Sequence, residues 1–516
     1  MKNTKLLILL IAFTSCISYL KTQKPKFNLT EGNKTEHNIL INSKHEYNLS
    51  LKKGQFGIIH LQQKGMDVKI VSYDPEGKEI EEFDTPNGAF GSELILIDAD
   101  KSGIYKLKII PLGENKEEKK GSYTIEFISS SNSITSHLDK VFKLIGKGNH
   151  IPGFFVSIVD KEKILYSNGQ GFANIEKQTP YTINTIQQIE SISKTFLGLS
   201  IMLLVEEGKL DLDKDINDYL PFRVNNPFYP KKPITLRHLA THTASINDRN
   251  QHENFAWIEN KEVFEKNKTK YIHEERRKYY KSIMGNKETT MEAFLKSYLL
   301  PKGKNYSKEN FFKRKPGKEW YYSNVGATLA AYIVQIISKQ PYNEFVEKNI
   351  IDKLKLEHTT WGYNPKKEKI NSLKYGSGKN EYPRIISPTY PDGGIYSNTT
   401  DLSKYLMHWI KGYSDERSIV KPSSYKEIMS IQFEQKKGDY KGLKNGLFWW
   451  IFNQNRMGHN GGNMGSNANM FFYPELGIGY TSLENITYGE DDEAEIQSIE
   501  IKKILNRYPK YFKTDN

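Results

Sequence analysis

The apolar residues of this chain follow one period up to a run of serines and another after it, and this change restricts the fold more than any other feature. Before Ser129-Ser130-Ser131-Asn132-Ser133 the apolar positions alternate in short runs at 45–51, 57–62, 67–73, 93–97, 104–110 and 122–128. Turn residues such as Pro75-Glu76-Gly77 and Ser102-Gly103 separate them. A period of two puts every second side chain on one face, so each run reads as a half-buried strand. Short strands in succession with no helix between them predict a small all-β sandwich. After the serines, Ile134, Leu138, Val141, Phe142 and Leu144 recur at helical spacing. Strands are expected at 154–159 and 163–168, helices dominate to Gly446, strands return at 447–452, 469–473 and 478–483, and a helix covers 495–506. Strands at both ends of a helical stretch predict one antiparallel sheet assembled from distant sequence, flanked by helices and carrying a helical lobe. The expected fold class is α+β preceded by an all-β unit. The expected division is an export signal at 1–15, a linker at 16–28, an accessory sandwich at 29–128, a linker at 129–134 and the α+β domain at 135–510.

A chain of 516 residues exceeds one ordinary core, and 37% hydrophobic with 12% aromatic residues describes globular units. The formal charge of +13 would suit a polyanion only if it were gathered into a stripe. The lysines instead lie along the whole chain beside acids, as in Glu114-Asn115-Lys116-Glu117-Glu118-Lys119-Lys120, which reads as solvated surface and not as a nucleic-acid site. Near the start, Lys2 and Lys5 precede an apolar run at 6–13, the size of a signal-peptide core and too short to span a bilayer. Cys16 is the only cysteine, so no intrachain disulfide forms. Its position after Thr14-Ser15 resembles a bacterial lipobox, with Phe13 where leucine is more usual. The expected location is the cell envelope, lipid-anchored through Cys16; the alternative is ordinary signal cleavage that discards Cys16 and secretes the protein. The apolar stretch at 196–205 reads as a buried core helix.

Ser191 and Lys194 stand three residues apart at the start of that apolar stretch. On a helix the two share a face, and Ser191 would lie in the first turn, where free amides and the positive dipole end favour an oxyanion. A lysine desolvated one turn away would be able to take the serine proton. Alone, this spacing more often marks an N-cap serine beside an exposed lysine.

The surroundings change that reading. The segment from Ser191 to Pro221, SISKTFLGLSIMLLVEEGKLDLDKDINDYLP, resembles the serine β-lactamase-related family of class C β-lactamase and penicillin-binding-protein-like hydrolases, as do Ile151 to Ala173 and Ile234 to Ile246, ITLRHLATHTASI. The resemblance covers about 135–503 and implies a β-lactamase/transpeptidase-like domain. Tyr322-Ser323-Asn324 matches the family's Y-x-N, which makes Tyr322 the general base and leaving-group acid with Lys194, and Asn324 a partner of the substrate amide or of Lys194. His459-Asn460-Gly461-Gly462 stands where the family carries K-T-G or H-x-G on the strand beside the nucleophile. By that match the Gly462 amide joins that of Ser191 as the oxyanion hole, Gly461 lets substrate lie close, and His459 meets a substrate carboxylate or supports the Tyr322 proton network. Gly393-Gly394-Ile395-Tyr396-Ser397 resembles a bordering scaffold loop. Asp98 to Lys108 resembles the last hairpin of bacterial pre-peptidase-type accessory sandwiches.

The resemblance implies acyl transfer through Ser191 with no cofactor. His238 and His242 share a helix face, but no acid is spaced as in H-E-x-x-H, so no metal is expected. Glu190 sets an acid beside the nucleophile that would disfavour a substrate carboxylate, and the charged, aromatic segment 248–310 would cover the cleft as a lid. Expected substrates are small molecules or peptidoglycan-type peptides, with esterase or D-alanyl peptidase activity favoured; the alternatives are a dedicated β-lactamase and a catalytically silent binding protein. Oligomeric state is not legible.

Overall fold

The computed structural model describes residues 26–113, 120–249, 255–271, 273–452, 456–487, 489 and 491–513. Cys16 and the export signal lie outside the described residues. Two compact units divide between His137 and Leu138.

The first unit is a sandwich. One sheet has the order β1 (Lys26–Asn28), β3 (His45–Leu51), β8 (Gly103–Pro111), β5 (Val68–Tyr73), β6 (Glu79–Phe83); the other has the order β2 (Lys34–Leu40), β9 (Lys120–Ser131), β4 (Phe56–Lys64), β7 (Ser92–Asp98). Inward positions of both sheets, among them Leu49, Ile59, Ile70, Ile95, Leu107 and Ile125, fill one core. Two expected linkers are corrected. β1 starts at Lys26, inside 16–28, and pairs in parallel with β3. Of the expected linker at 129–134, Ser129, Ser130 and Ser131 are the end of β9, opposite Ile58, Gly57 and Phe56, and only Asn132 and Ser133 separate it from helix α1 (Ile134–Gly148). Ladder bonds are made by the main chain, so a serine segment extends a strand where a neighbouring edge awaits pairing.

The second unit is built on a nine-stranded sheet. β10 (Gly153–Val159) reads GFFVSIV and is buried at every position, as a central strand covered on both faces requires. It pairs antiparallel with β11 (Ile164–Asn174) on one side and with β15 (Ile478–Glu484) on the other, Phe154 standing opposite Glu484. β14 (Ser466–Tyr473), β13 (Arg456–Asn463) and β12 (Trp450–Phe452) continue the sheet. The two ends of the unit thus meet in one antiparallel sheet, as the pattern predicts. Helix α2 (Ser193–Glu206) is apolar all round and buried from Ser193 through Met202. It packs against α3 (Asn324–Ser338). Gly198 sits so close to the chain that an added Cβ would lie 3.0 Å from the Leu447 carbonyl. α4 (Thr399–Tyr413) covers β10 and β15, where Ser157 Oγ lies 2.7 Å from both Ser403 Oγ and Thr481 Oγ1.

Candidate active site

Ser191 occupies a tight 3-10 turn, Glu190–Ile192, immediately before α2. The chain enters it from Gln187–Gln188, which pairs with Ile395–Ser397, and Ile189 N donates to Ile395 O at 2.9 Å. The turn is sharp because Glu190 has a φ of 50°, a left-handed conformation that costs a non-glycine residue on the order of 1–3 kcal/mol. Surrounding contacts hold it: Glu190 is 3% exposed, its Oε1 lies 3.2 Å from Lys374 Nζ, and Ser466 Oγ donates to the same oxygen. Lys374 also donates to Gln188 Oε1 at 2.6 Å. This corrects the expectation for Glu190: Lys374 neutralises it, so it is not an uncompensated acid beside the nucleophile.

Lys194 is fully buried, and its ammonium donates to Ser191 Oγ at 3.1 Å and to the Asp392 carbonyl at 2.6 Å. Ser193 Oγ accepts from Ile395 N at 3.2 Å, tying the same loop to the nucleophile's turn. The 393–397 segment therefore borders the site, as its resemblance implies. Lys194 Nζ also lies 5.0 Å from the centre of the Tyr322 ring, within range of a cation–π attraction. The structure brings Tyr322 to Lys194 through its ring; its hydroxyl makes no hydrogen bond to Ser191 or Lys194 among the described residues. Hydrogen bonds of this kind commonly tighten only when substrate is bound.

The start of α3 aims Tyr322. Ser323 caps that helix, its Oγ accepting from Gly326 N at 2.8 Å, so Tyr322 is the last residue before the cap and Asn324 the first within the helix. Asn324 Oδ1 is buried without a hydrogen-bond partner. Among the described residues it makes no hydrogen bond to Lys194. Asp248 braces this start: Ser323 Oγ donates to Oδ1 at 2.6 Å, Val325 N donates to the same oxygen at 3.2 Å, and Asn324 N donates to Oδ2. His242 lies beneath, its ring 4.4 Å from that of Tyr322 and its Nδ1 accepting from Ser323 N at 3.2 Å. Burial, with the nearby Lys194 charge, keeps His242 neutral. His238 instead completes a capping box with Thr235.

β13 carries the last element. It pairs with β14 along its length, Gly461 opposite Ala468 and Gly462 opposite Asn467, while β12 reaches only as far as Gly458. One edge of β13 is thus unpaired from His459 to Asn463, beside the nucleophile's turn. At Gly461 an added Cβ would stand 2.2 Å from Ile189 O and 3.0 Å from Ser191 N, so only glycine permits this approach. His459 is 2% exposed, its Nδ1–H donates to Asn460 O at 2.6 Å, and its ring lies 5.2 Å from Trp450, which stacks on Tyr322. Burial and the Lys194 charge push the His459 imidazolium down to about 3. A neutral imidazole is a weaker partner for a carboxylate than a lysine, and its ring reaches toward Tyr322 through Trp450. Local sequence patterns do not single out Asp248 as a site residue or His242 as a neighbour of Tyr322, and they give no sign of Trp450 or Lys374.

A family model described as Beta-lactamase matches residues 138–501. The chain belongs to the beta-lactamase family. The match spans every site residue just described, and the protein named flp from Staphylococcus aureus (strain N315) is 24% identical over 286 residues, 54% of this chain and 49% of that protein. The human mitochondrial serine beta-lactamase-like protein LACTB is 28% identical over 298 residues, 51% of this chain and 54% of its own. The chain spans about half the length of the curated relatives it matches. Among solved structures, the octameric penicillin-binding protein homologue from Pyrococcus abyssi superposes with a TM-score of 0.54 at 24% identity, covering 73% of this chain and 78% of that one. The family's transpeptidase-like fold, with Ser191 at the head of its buried helix, is the fold of this second unit.

Asp248 gives the family member a pH dependence of its own. Burial raises its carboxyl from 3.8 to about 6, against hydrogen bonds from Ser323, Asn324 and Val325 that favour the anion. A folded-state value above the unfolded one means stability that is fully present only below about pH 3.8, falls between there and 6, and is lost above 6. The shift corresponds to about 3 kcal/mol. Thermal or urea unfolding of wild type and Asp248→Asn between pH 4 and 7 is expected to show the wild type losing most of that relative to the variant; parallel profiles would show that Asp248 does not titrate there.

Proposed function

We propose that this protein is a serine hydrolase that cleaves esters or D-alanyl-type peptides through an acyl-enzyme on Ser191, in preference to acting as a dedicated β-lactamase. The observation that carries this reading is the buried Lys194 ammonium donating to Ser191 Oγ at 3.1 Å. As a donor to Oγ the resting lysine holds the hydroxyl in place; once it has given up its extra proton, the free amine takes the serine proton as Oγ attacks the carbonyl carbon. The new C–O bond forms, the oxyanion turns to the amides of Ser191 and Gly462, and the leaving alcohol or amine departs with a proton from the Lys194–Tyr322 pair. Water then splits the ester and restores Ser191. The neutral His459 favours esters and D-alanyl amides without a free carboxylate over β-lactams, whose carboxylate calls for a cation at that position.

The expected result is turnover of a p-nitrophenyl ester or a D-alanyl amide with kcat/KM at least tenfold above that for a cephalosporin. The reverse order would favour the β-lactamase alternative, and no covalent adduct with any of them would favour the silent binding protein. We also place the mature protein at the cell envelope, anchored by a lipid on Cys16, with the sandwich as an accessory unit. No described helix is long and apolar enough to cross a membrane. The mass of the native N-terminus tests the anchor: an unmodified start beyond Cys16 overturns it.

A further inference from the structure

Beside the nucleophile the second unit holds a cavity of about 1100 Å³. Glu190, Asp392, Gly393 and Asn463 contribute to its wall, so it adjoins the turn that carries Ser191; Ser191 itself, like Lys194, Tyr322, Asn324 and His459, is not among its lining residues. The 248–310 segment expected from the sequence to act as a lid supplies Trp257, Tyr279 and Glu288 to its lining, and Trp361, Tyr363 and Tyr390 add further aromatic rings. That lining is fixed in place. Trp257–Ile258 pairs with Ile385–Ile386, Arg384 Nε donates to Glu259 Oε2 at 2.5 Å, and the Arg384 guanidinium lies 3.7 Å over the Tyr363 ring.

The position of the cavity assigns its occupant. A tetrahedral carbon on Ser191 Oγ carries three other groups. Its oxygen turns to the amides of Ser191 and Gly462, and its leaving group turns to the proton donor, Tyr322. That leaves one direction for the acyl chain, and Asp392 and Gly393, next to the Lys194 contact, line the cavity with no side chain at 393 in the way. An acetyl group would fill a small fraction of a space slightly larger than the usual range for drug-sized ligands, roughly 300–1000 Å³. Aromatic faces in the lining suit apolar or aromatic side chains, and they also attract a cation. The lining carries five acids against two cations, Arg276 and Arg384: Glu190 pairs with Lys374, Glu259 with Arg384 and Glu292 with Lys296, the Asp392 carbonyl accepts from Lys194, and Glu288 has no ion-pair partner among the described residues.

Building on the hydrolase reading above, we propose that this cavity is the acyl subsite of the enzyme and that its substrates carry a peptide-sized acyl chain with an aromatic residue and a basic group, the base lying toward Glu288.

The test compares p-nitrophenyl acetate with p-nitrophenyl esters of two short peptides ending in phenylalanine, one with a neutral and one with a lysyl N-terminal residue, on the full-length protein. The expected result is a kcat/KM at least a hundredfold higher for the lysyl peptide than for acetate, with the neutral peptide between them. Trp257→Ala is expected to lower the peptide-to-acetate ratio at least tenfold, and Glu288→Gln to lower the lysyl-to-neutral ratio about fivefold. Thermal midpoints show that each variant is folded, and Glu288, being exposed, supplies a test even if Trp257→Ala unfolds. Equal kcat/KM for acetate and both peptides, or ratios unmoved by the two substitutions, would overturn the acyl subsite while leaving the hydrolase intact. No turnover of any ester by the wild type would overturn the hydrolase reading itself, and the subsite with it.

Discussion

Ser191→Ala is expected to lower kcat/KM for an ester by about a thousandfold or more, Lys194→Ala by a similar factor, and the double variant by little beyond either alone. The reason is geometric. Lys194 is buried, and besides Ser191 Oγ its ammonium has one hydrogen-bond acceptor among the described residues, the Asp392 carbonyl at 2.6 Å. Without Ser191 the lysine has no proton to take; without Lys194 the hydroxyl remains a weak nucleophile. Groups that act on one proton as a unit are not additive, so the double-mutant cycle separates this account from one in which Lys194 only stabilises the fold. Lys194→Arg is a useful companion. It retains a charge but cannot give up its proton, and it is expected to be as inactive as alanine while holding its thermal midpoint better. Retention of more than a tenth of the activity by purified Ser191→Ala would end the serine mechanism.

Gly461→Ala is expected to cost about a hundredfold in kcat and on the order of 1–3 kcal/mol in stability, although it adds a single methyl group. That methyl would meet Ile189 O at 2.2 Å, Glu190 Cβ at 2.9 Å and Ser191 N at 3.0 Å, two of them main-chain atoms of the nucleophile's own turn. The turn has little room to yield, because Glu190 already holds a φ of 50° and is fastened to Lys374 and Ser466. Either β13 or Ser191 must move, and the two amides that would receive the oxyanion come apart. The neighbouring Gly462→Ala is the control. Its added Cβ would meet only the end of the Asn467 side chain, at 2.9 Å, so a far smaller loss is expected. Equal effects at 461 and 462 would show that close packing on Ser191 is not what Gly461 provides.

Much of this site is legible in the sequence because each part lies within a short local pattern. Ser191 and Lys194 are one helical turn apart, Ser323 caps the helix that Tyr322 precedes, and Gly461 stands out as a glycine on the strand beside the nucleophile, although the close approach it permits is to the main chain at Ile189 and Ser191 and not to substrate as expected. What escapes notice depends on residues far apart in the chain. Asp248 reaches Ser323, Lys374 reaches Glu190, and Trp450 joins His459 to Tyr322, and no local spacing signals any of these pairs. The strand pattern fails in a related way. The runs at 45–51 and 104–110 are recognised because their inward faces are apolar, while β2 and β6, KTEHNIL and EIEEF, are polar strands at sheet edges whose pairing is made by the main chain. The serine run of β9 is misread as a linker for the same reason.

The central claim is that Ser191 carries the acyl group, and the most direct measurement is the mass of the denatured protein after brief exposure to a fluorophosphonate or a slowly hydrolysed ester, with peptide mapping of the labelled product. The account predicts one adduct per chain, located on Ser191 and absent from Ser191→Ala. An adduct on any other residue, or equal labelling of the Ser191→Ala variant, would contradict it.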